Sequence, residues 1–402
     1  MKSLSVEAFQ QACQDAIDED VDFVLIAGDL FHTAIPSLDL VQTVVRTLRS
    51  VNEQGIRCYF IPGSHDCSPT GKTMLNVIEE ANLGVNVDRE DKSGLTLTED
   101  DDGARITGVS GETGMLDQER YHDLNVDAVS DDADTVFMFH TAVDELKPAD
   151  LSMDSQGYQQ LPQGFDYYAG GHVHIVDRHD YTDTGYGPIV YPGPLFPTAF
   201  NELEALEHGG YYLYDDGDVE RREVQLKDVA TVHVTVDDQN PEDVTEAVLD
   251  ALKDESVEGA IVTVRLSGTL VGGRISDIDF DAIHDYADRN DVFRLLSNTY
   301  SLQTERFKAD VDEERTHEEV ETDLIEEYAG QIDHVFGDET QVAKQLLGSL
   351  NAKKRDGETN QDYEERMVEE ADAIITESVV DSGDEDSSKN GETRDLSLNN
   401  FT

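Results

Sequence analysis

Seven side chains suggest chemistry in this sequence: Asp29, His32, Ser64, His65, His140, His172 and His174. They follow apolar stretches, in the segments Gly28-Asp29-Leu30-Phe31-His32, Gly63-Ser64-His65-Asp66, Phe137-Met138-Phe139-His140 and Gly171-His172-Val173-His174. Singly, each is ordinary, because Gly-Asp ends many strands and a histidine after an apolar run is usually a satisfied core residue. Together they are what two-metal phosphoester hydrolysis needs: divalent ions about 3.5–4 Å apart grip a phosphate and acidify a water, and a shared carboxylate keeps them close. Asp29 is the natural bridge. His172 and His174, at i and i+2, would face one side of an extended segment and serve one ion each. Mixed carboxylate and imidazole ligands suit manganese, iron or zinc better than calcium. Ser64 takes a ligand position, which leaves His65 as general acid for the leaving alkoxide, oriented by Asp66 from behind. The expectation is geometric: Asp29, His140, His172 and His174 meet where a single cation could touch three of them.

These residues need strands to carry them to one edge. Five of the six residues over 21–26 are apolar, a density that predicts a strand in a sheet covered on both faces. Gly28 then turns the chain and leaves Asp29 at the carboxyl end, where open α/β sheets hold ligands. Apolar spacing predicts helices over 5–18, 37–53 and 72–81, and strands over 56–61, 135–139 and 166–169. Short strands over 85–109 read as a second sheet, 116–128 as a helix or irregular connection, and 189–193, 210–214 and 219–226 as further strands. A separate α/β module follows, with strands over 230–236, 260–266 and 292–296 and helices over 241–252 and 280–287. Two late amphipathic helices, 341–350 and 363–376, flank a polar linker over 351–361. The tail over 377–402 is acidic and Ser/Asn-rich, and reads as disordered.

The balance of 88 acidic against 29 basic residues gives a formal charge of −59. Such a surface repels itself and nucleic acid in dilute buffer, so it points to the salt-loaded cytosol of a halophilic archaeon. Cys13, Cys58 and Cys67 have no CxxC spacing, which argues against a disulfide scaffold or zinc knuckle. Neither a signal-peptide pattern nor an apolar run of membrane-spanning length is visible, so the expectation is a cytoplasmic protein with no membrane partner.

The ordered segments Gly28-Asp29-Leu30-Phe31-His32, Gly63-Ser64-His65-Asp66, His140 and Gly171-His172-Val173-His174 resemble the calcineurin-like metallophosphoesterases. Within them the chain resembles the archaeal nuclease subunits of Mre/Rad (SbcD-type) double-strand-break repair complexes, which also carry a histidine after Asp-Leu-Phe and a segment like Tyr191-Pro192-Gly193-Pro194. The resemblance implies a four-layer α/β sandwich of two mixed sheets flanked by helices over 1–227, lacking its first strand. It further implies a DNA-binding capping domain over 228–309, a helical segment binding an SbcC/Rad-type ABC ATPase over 310–376, and the tail. It implies that Asp29 bridges two manganese ions, His140 and His172 ligate one and His174 the other, His65 protonates the leaving group and His32 contacts phosphate. The implied activity is exonucleolytic and endonucleolytic DNA cleavage by a homodimer at DNA ends, with Arg265, Arg274 and Arg294 as DNA contacts or as ordinary surface cations.

Two departures stand out. Ser64 replaces the family's asparagine, and the Asp-x-His motif of an opening strand is absent, which suggests that the reading frame begins upstream of Met1. Two alternatives follow: a phosphatase or cyclic-nucleotide phosphodiesterase using the same loops, and a non-catalytic scaffold.

Overall fold

Period-two alternation explains the layers. Every residue of the strand Thr135–His140 is buried; Val136 and Met138 point into one core, while Phe137 and Phe139 point into another. In Arg57–Ile61, Tyr59 and Ile61 join the first of these cores, whereas Cys58 and Phe60 meet the helices. A strand with two apolar faces must lie between layers, and the computed structural model places both strands so. It describes residues 1–67, 73–92, 94–111, 120, 121, 124, 126, 133–148, 153–304, 325, 339–350, 352, 355 and scattered positions between 363 and 375.

Two compact units result, one of residues 1–198 and 206–226, the other of 199–205 and 227–402. The first opens with α1 (Lys2–Asp18) and has a three-stranded parallel sheet, β1 (Phe23–Ala27), β2 (Arg57–Ile61) and β3 (Val85–Asn86), in that order. α1, α2 (Leu38–Glu53) and α3 (Met74–Glu80) cover one face through Cys13, Val44, Leu48 and Leu75. Thr73 caps α3 by accepting from the Leu75 amide at 3.1 Å.

The pairs β4 (Glu90–Asp91) with β5 (Gly94–Leu95), and β9 (Ala142–Val143) with β10 (Ser155–Gln156), are short ladders. The second sheet comprises β6 (Thr98–Glu99), β7 (Arg105–Val109), β8 (Thr135–His140), β11 (Tyr167–Gly171), β12 (Val176–His179) and β13 (Ile189–Pro192), in the order β12-β13-β11-β8-β7-β6. β7, β8, β11 and β13 run parallel, so their carboxyl ends share an edge; β6 and β12 are antiparallel. The mixed sheet expected from sequence is this second one, and the first is parallel throughout. The helix α4 (Phe200–Leu206) belongs to the second unit but for its last residue, and a hairpin of β14 (Gly209–Asp215) and β15 (Asp218–Val224) closes the first.

The dense apolar run over 21–26 forms β1, and both faces are covered: Val24 and Ile26 meet the helices, Phe23 and Leu25 the inter-sheet core. Even so, all five residues of β1 stay half-buried, because β1 is the edge of its sheet.

In the second unit, β16 (Val229–Gln239), β17 (Ile261–Leu270) and β18 (Arg294–Thr304) form a parallel sheet with α5 (Pro241–Asp254) and α6 (Phe280–Arg289) as crossovers. Asn240 and Asp279 cap the two helices by accepting from the Asp243 and Ala282 amides at 3.0 and 2.9 Å. β18 runs past the expected end at 296 and stays paired with β17 as far as Thr304, with a one-residue register slip opposite Arg265 to Ser267. The helix α7 (Glu339–Leu350) and the described helical positions over 363–375 are tied by Ser349 donating to Glu370 at 3.2 Å and Tyr363 donating to the Ala352 carbonyl at 3.1 Å. Val342, Met367, Ala371 and Ile375 are buried, so these segments are not without a core. The tail over 377–402 and most of 116–128 and 310–338 lie outside the described residues.

Burial pushes the Cys13 and Cys58 thiols up to about 12, the proximity of Cys58 adding to the rise at Cys13. Cys67 is exposed. Alkylating the native protein at about pH 8 and mapping the adducts by mass spectrometry should find Cys67 modified and the other two protected. Equal labelling of all three would contradict this packing.

Candidate active site

β1, β2, β8 and β11 end at Ala27, Ile61, His140 and Gly171, and the loops beyond them converge. Gly28 and Asp29 adopt left-handed φ values of 92° and 52°, which reverses the chain and brings the Asp29 carboxylate over the second loop. There Asp29 Oδ1 accepts from the His65 amide at 2.9 Å, and a Cβ on Gly63 would lie 2.1 Å from that oxygen. Asp66, fully buried, accepts from the amides of Gly63 at 3.0 Å, Phe31 at 3.1 Å and Leu30 at 3.3 Å. Burial raises its pKa, the Gly63 and Phe31 amides oppose this, and nearby Asp29 adds to the rise. The sequence reading had Asp66 orienting the His65 ring. Its carboxylate instead staples the backbone of the Asp29 loop to that of the His65 loop.

His140 is held more tightly still. Its Nδ1 lies 2.7 Å from the Ala27 carbonyl, an acceptor, so Nδ1 carries the proton. Nε2 is then left with a lone pair, is buried, and has no hydrogen-bond partner, yet it stands 3.1 Å from Asp29 Oδ2. Nε2 has a proton for that carboxylate only when the ring is charged. In the neutral tautomer two acceptors face each other, an arrangement that a cation between them turns from repulsion to attraction. Adjacent ligands at right angles on an ion with ~2.1 Å bonds are about 3.0 Å apart, so the pair fits one metal ion. Burial opposes ionisation of Asp29, but a charged His140 ring donating from Nε2, with the amide and charge of His65, outweighs it and holds the carboxyl below its ordinary value; the repulsion belongs to the neutral ring alone. Glycines wall the imidazole: a Cβ on Gly28 would fall 2.2 Å from its Nδ1, one on Gly111 2.4 Å from its Cδ2, and one on Gly171 1.9 Å from the Ala27 oxygen.

The other histidines gather around this pair. The His172 ring meets His140 at 5.1 Å between centroids, inclined by 60°. His32 and His65 stack at 5.0 Å with 19° between planes. Partial burial and the charge of His65 hold His32 below its ordinary pKa, against the pull of Asp29, so a neutral ring is favoured near neutrality. The parity argument for His172 and His174 fails, because His172 has φ 81° and the segment turns there instead of running extended. His174 is exposed and Ser64 half-buried in the His65 loop. Among the described residues, no three His, Cys, Asp or Glu side chains close on one ion. The expected point at which one cation could touch three of Asp29, His140, His172 and His174 is therefore not formed: Asp29 and His140 are in contact, with the rings of His172, His65 and His32 near them.

The arginines divide. Arg265 is no free phosphate contact: its guanidinium binds Glu204 through Nε and Nη2, donates to Asn201 at 2.8 Å and lies 4.9 Å from the centre of the Phe200 ring. Arg274 is half-buried and its amide donates to Asp277 at 2.8 Å; Arg294 is exposed on β18.

A family model described as calcineurin-like phosphoesterase matches residues 5–176. This stretch is a calcineurin-like phosphoesterase domain. Proteins named DNA double-strand break repair protein Mre11 are similar over more of the chain. That of Archaeoglobus fulgidus is 24% identical, covering 90% of this chain and 83% of its own; that of Sulfolobus acidocaldarius is 22% identical, covering 87% and 90%. The Methanopyrus kandleri protein is 27% identical, over 52% of this chain and 48% of its own. The phosphoesterase domain contains Asp29, His140, His172 and His174, and its site also depends on two groups that sequence reasoning missed. The Ala27 carbonyl and Gly111 act through backbone and bare space, and their only signal was their place at strand ends.

Gly171→Ala drives a methyl into the Ala27 carbonyl that fixes His140. Chemical denaturation should show a loss of roughly 1–3 kcal/mol, together with weaker binding of added divalent metal. Unchanged stability and metal uptake would show that this close approach is not needed.

Proposed function

We propose that this chain is a divalent-metal-dependent DNA nuclease of double-strand-break repair. The observation that carries the reading is the buried Nε2 of His140 facing the Asp29 carboxylate inside a calcineurin-like phosphoesterase domain. The names of the archaeal relatives supply the substrate class and the repair setting.

Asp29 and His140 would hold a divalent cation, with His172 beside them, and His174 and Ser64 would be the further ligands on the same loops. Bound manganese supplies positive charge for the phosphate oxygens and acidity for the attacking water. The chain's own residues do the rest. His65, carried on the amide that Asp29 accepts, donates a proton to the leaving 3′ or 5′ alkoxide. His32, kept neutral beside it, hydrogen-bonds a phosphate oxygen. Asp66 holds both loops in register, so neither ring drifts from the scissile bond.

The acidic surface fits a salt-rich cytosol, where counterion release contributes little to DNA affinity and metal contact with phosphate carries more of it. Arg294 and Arg274 remain candidate phosphate contacts in the second unit. α7 and the segment over 363–375 are the proposed docking site for an SbcC/Rad-type ABC ATPase, and α2 and α3, with Leu38 and Val77 exposed, for a second copy of the chain.

The test is cleavage of end-labelled duplex and single-stranded DNA in molar KCl with manganese. Wild type should degrade both; Asp29→Asn and His140→Gln should lose metal uptake and cleavage. His65→Gln should keep metal and lose roughly 10²–10⁴-fold in turnover. Metal uptake without hydrolysis of DNA or of a small phosphodiester would overturn the enzymatic reading in favour of a scaffold.

A further inference from the structure

Tyr191 belongs to the Tyr-Pro-Gly segment at the end of β13, which the proposed chemistry leaves unused. It is fully buried, and its hydroxyl reaches across to the turn that follows His140. It donates to the Thr141 carbonyl at 2.6 Å and accepts from the Val143 amide at 3.0 Å. One hydroxyl thus satisfies a carbonyl and an amide two residues apart, which fixes the direction in which the chain leaves β8. The ring sits edge-on to Phe139, the residue before His140, at 5.6 Å and 76°. It also crowds Gly170, where a Cβ would come within 2.9 Å of the Tyr191 Cε1. Gly170 and Gly171 pair with Phe139 and His140 in the β11–β8 register, so one side chain braces the strand ends that carry His140 and His172.

We propose that Tyr191 is a positioning residue for the metal site: through Thr141, Val143 and Phe139 it holds the His140 imidazole at the angle that aims Nε2 at Asp29. The inference rests on the metal-dependent reading above and goes beyond it, because Tyr191 is not among the residues proposed there to hold metal or phosphate. A ligand must keep its lone pair on axis, and groups behind a ligand typically change metal affinity 10–100-fold when removed.

A buried hydroxyl that merely stabilised the sheet would behave differently, and Tyr168 supplies the comparison. Tyr168 is equally buried and also donates to a carbonyl at 2.6 Å, that of Pro162, but at the opposite end of β11. Full-length wild type, Tyr191→Phe and Tyr168→Phe should be titrated with Co2+, following its visible absorption, and melted in parallel. Both variants should lose similar stability. Only Tyr191→Phe should bind Co2+ about ten-fold more weakly, with a shifted absorption band. Equal Co2+ affinity in the two variants, or an unchanged spectrum in Tyr191→Phe, overturns the assignment and leaves the nuclease reading standing. Wild type that takes up no Co2+ overturns both.

Discussion

The site depends on an electrostatic conflict between two acceptors. The Ala27 carbonyl takes the Nδ1 proton of His140, and whenever the ring carries that proton alone its remaining lone pair lies 3.1 Å from a carboxylate. In a buried setting such a contact is costly, since an unpaired polar group loses its water without gaining a partner. The fold nevertheless enforces it with left-handed backbone at Gly28 and Asp29, close approaches at Gly63, Gly111 and Gly171, and the buried Asp66. Backbone strain kept at this density marks a place where geometry serves something other than stability. A divalent cation is what makes the geometry favourable, and the calcineurin-like phosphoesterase match over residues 5–176 is consistent with it.

Most of what positions the pair is backbone, and the two side chains that help, Asp66 and Tyr191, do so by binding main-chain groups. Parallel strands deliver four chain ends to one edge, and glycine lets those ends approach to distances that a methyl group would forbid. Asp66 contributes through amides of both loops and not through the His65 ring. Side-chain identity therefore decides the chemistry, while the absence of side chains at Gly28, Gly63, Gly111 and Gly171 decides whether the chemical groups can meet.

Much of this was legible in the sequence. Apolar runs ending in Gly-Asp and Gly-x-His-Asp announced strand ends, and period-two burial in β8 follows directly from its alternating cores. The module from β16 to β18 was readable because helix and strand periods alternate there without interruption. What was not legible depends on long-range geometry. Pairing order left β1 at an edge, and a left-handed φ at His172 broke the expected parity with His174. Arg265, counted among DNA contacts, binds Glu204, 61 residues away, a pairing that no local pattern encodes.

The most direct test of the central claim is 15N NMR of histidine-labelled protein titrated with Zn2+. The account predicts that His140 is the Nδ1–H tautomer throughout, and that its Nε2 resonance moves on metal addition while Nδ1 stays protonated. A His140 ring protonated at Nε2 and indifferent to metal would contradict it, for the contact with Asp29 would then be an ordinary hydrogen bond.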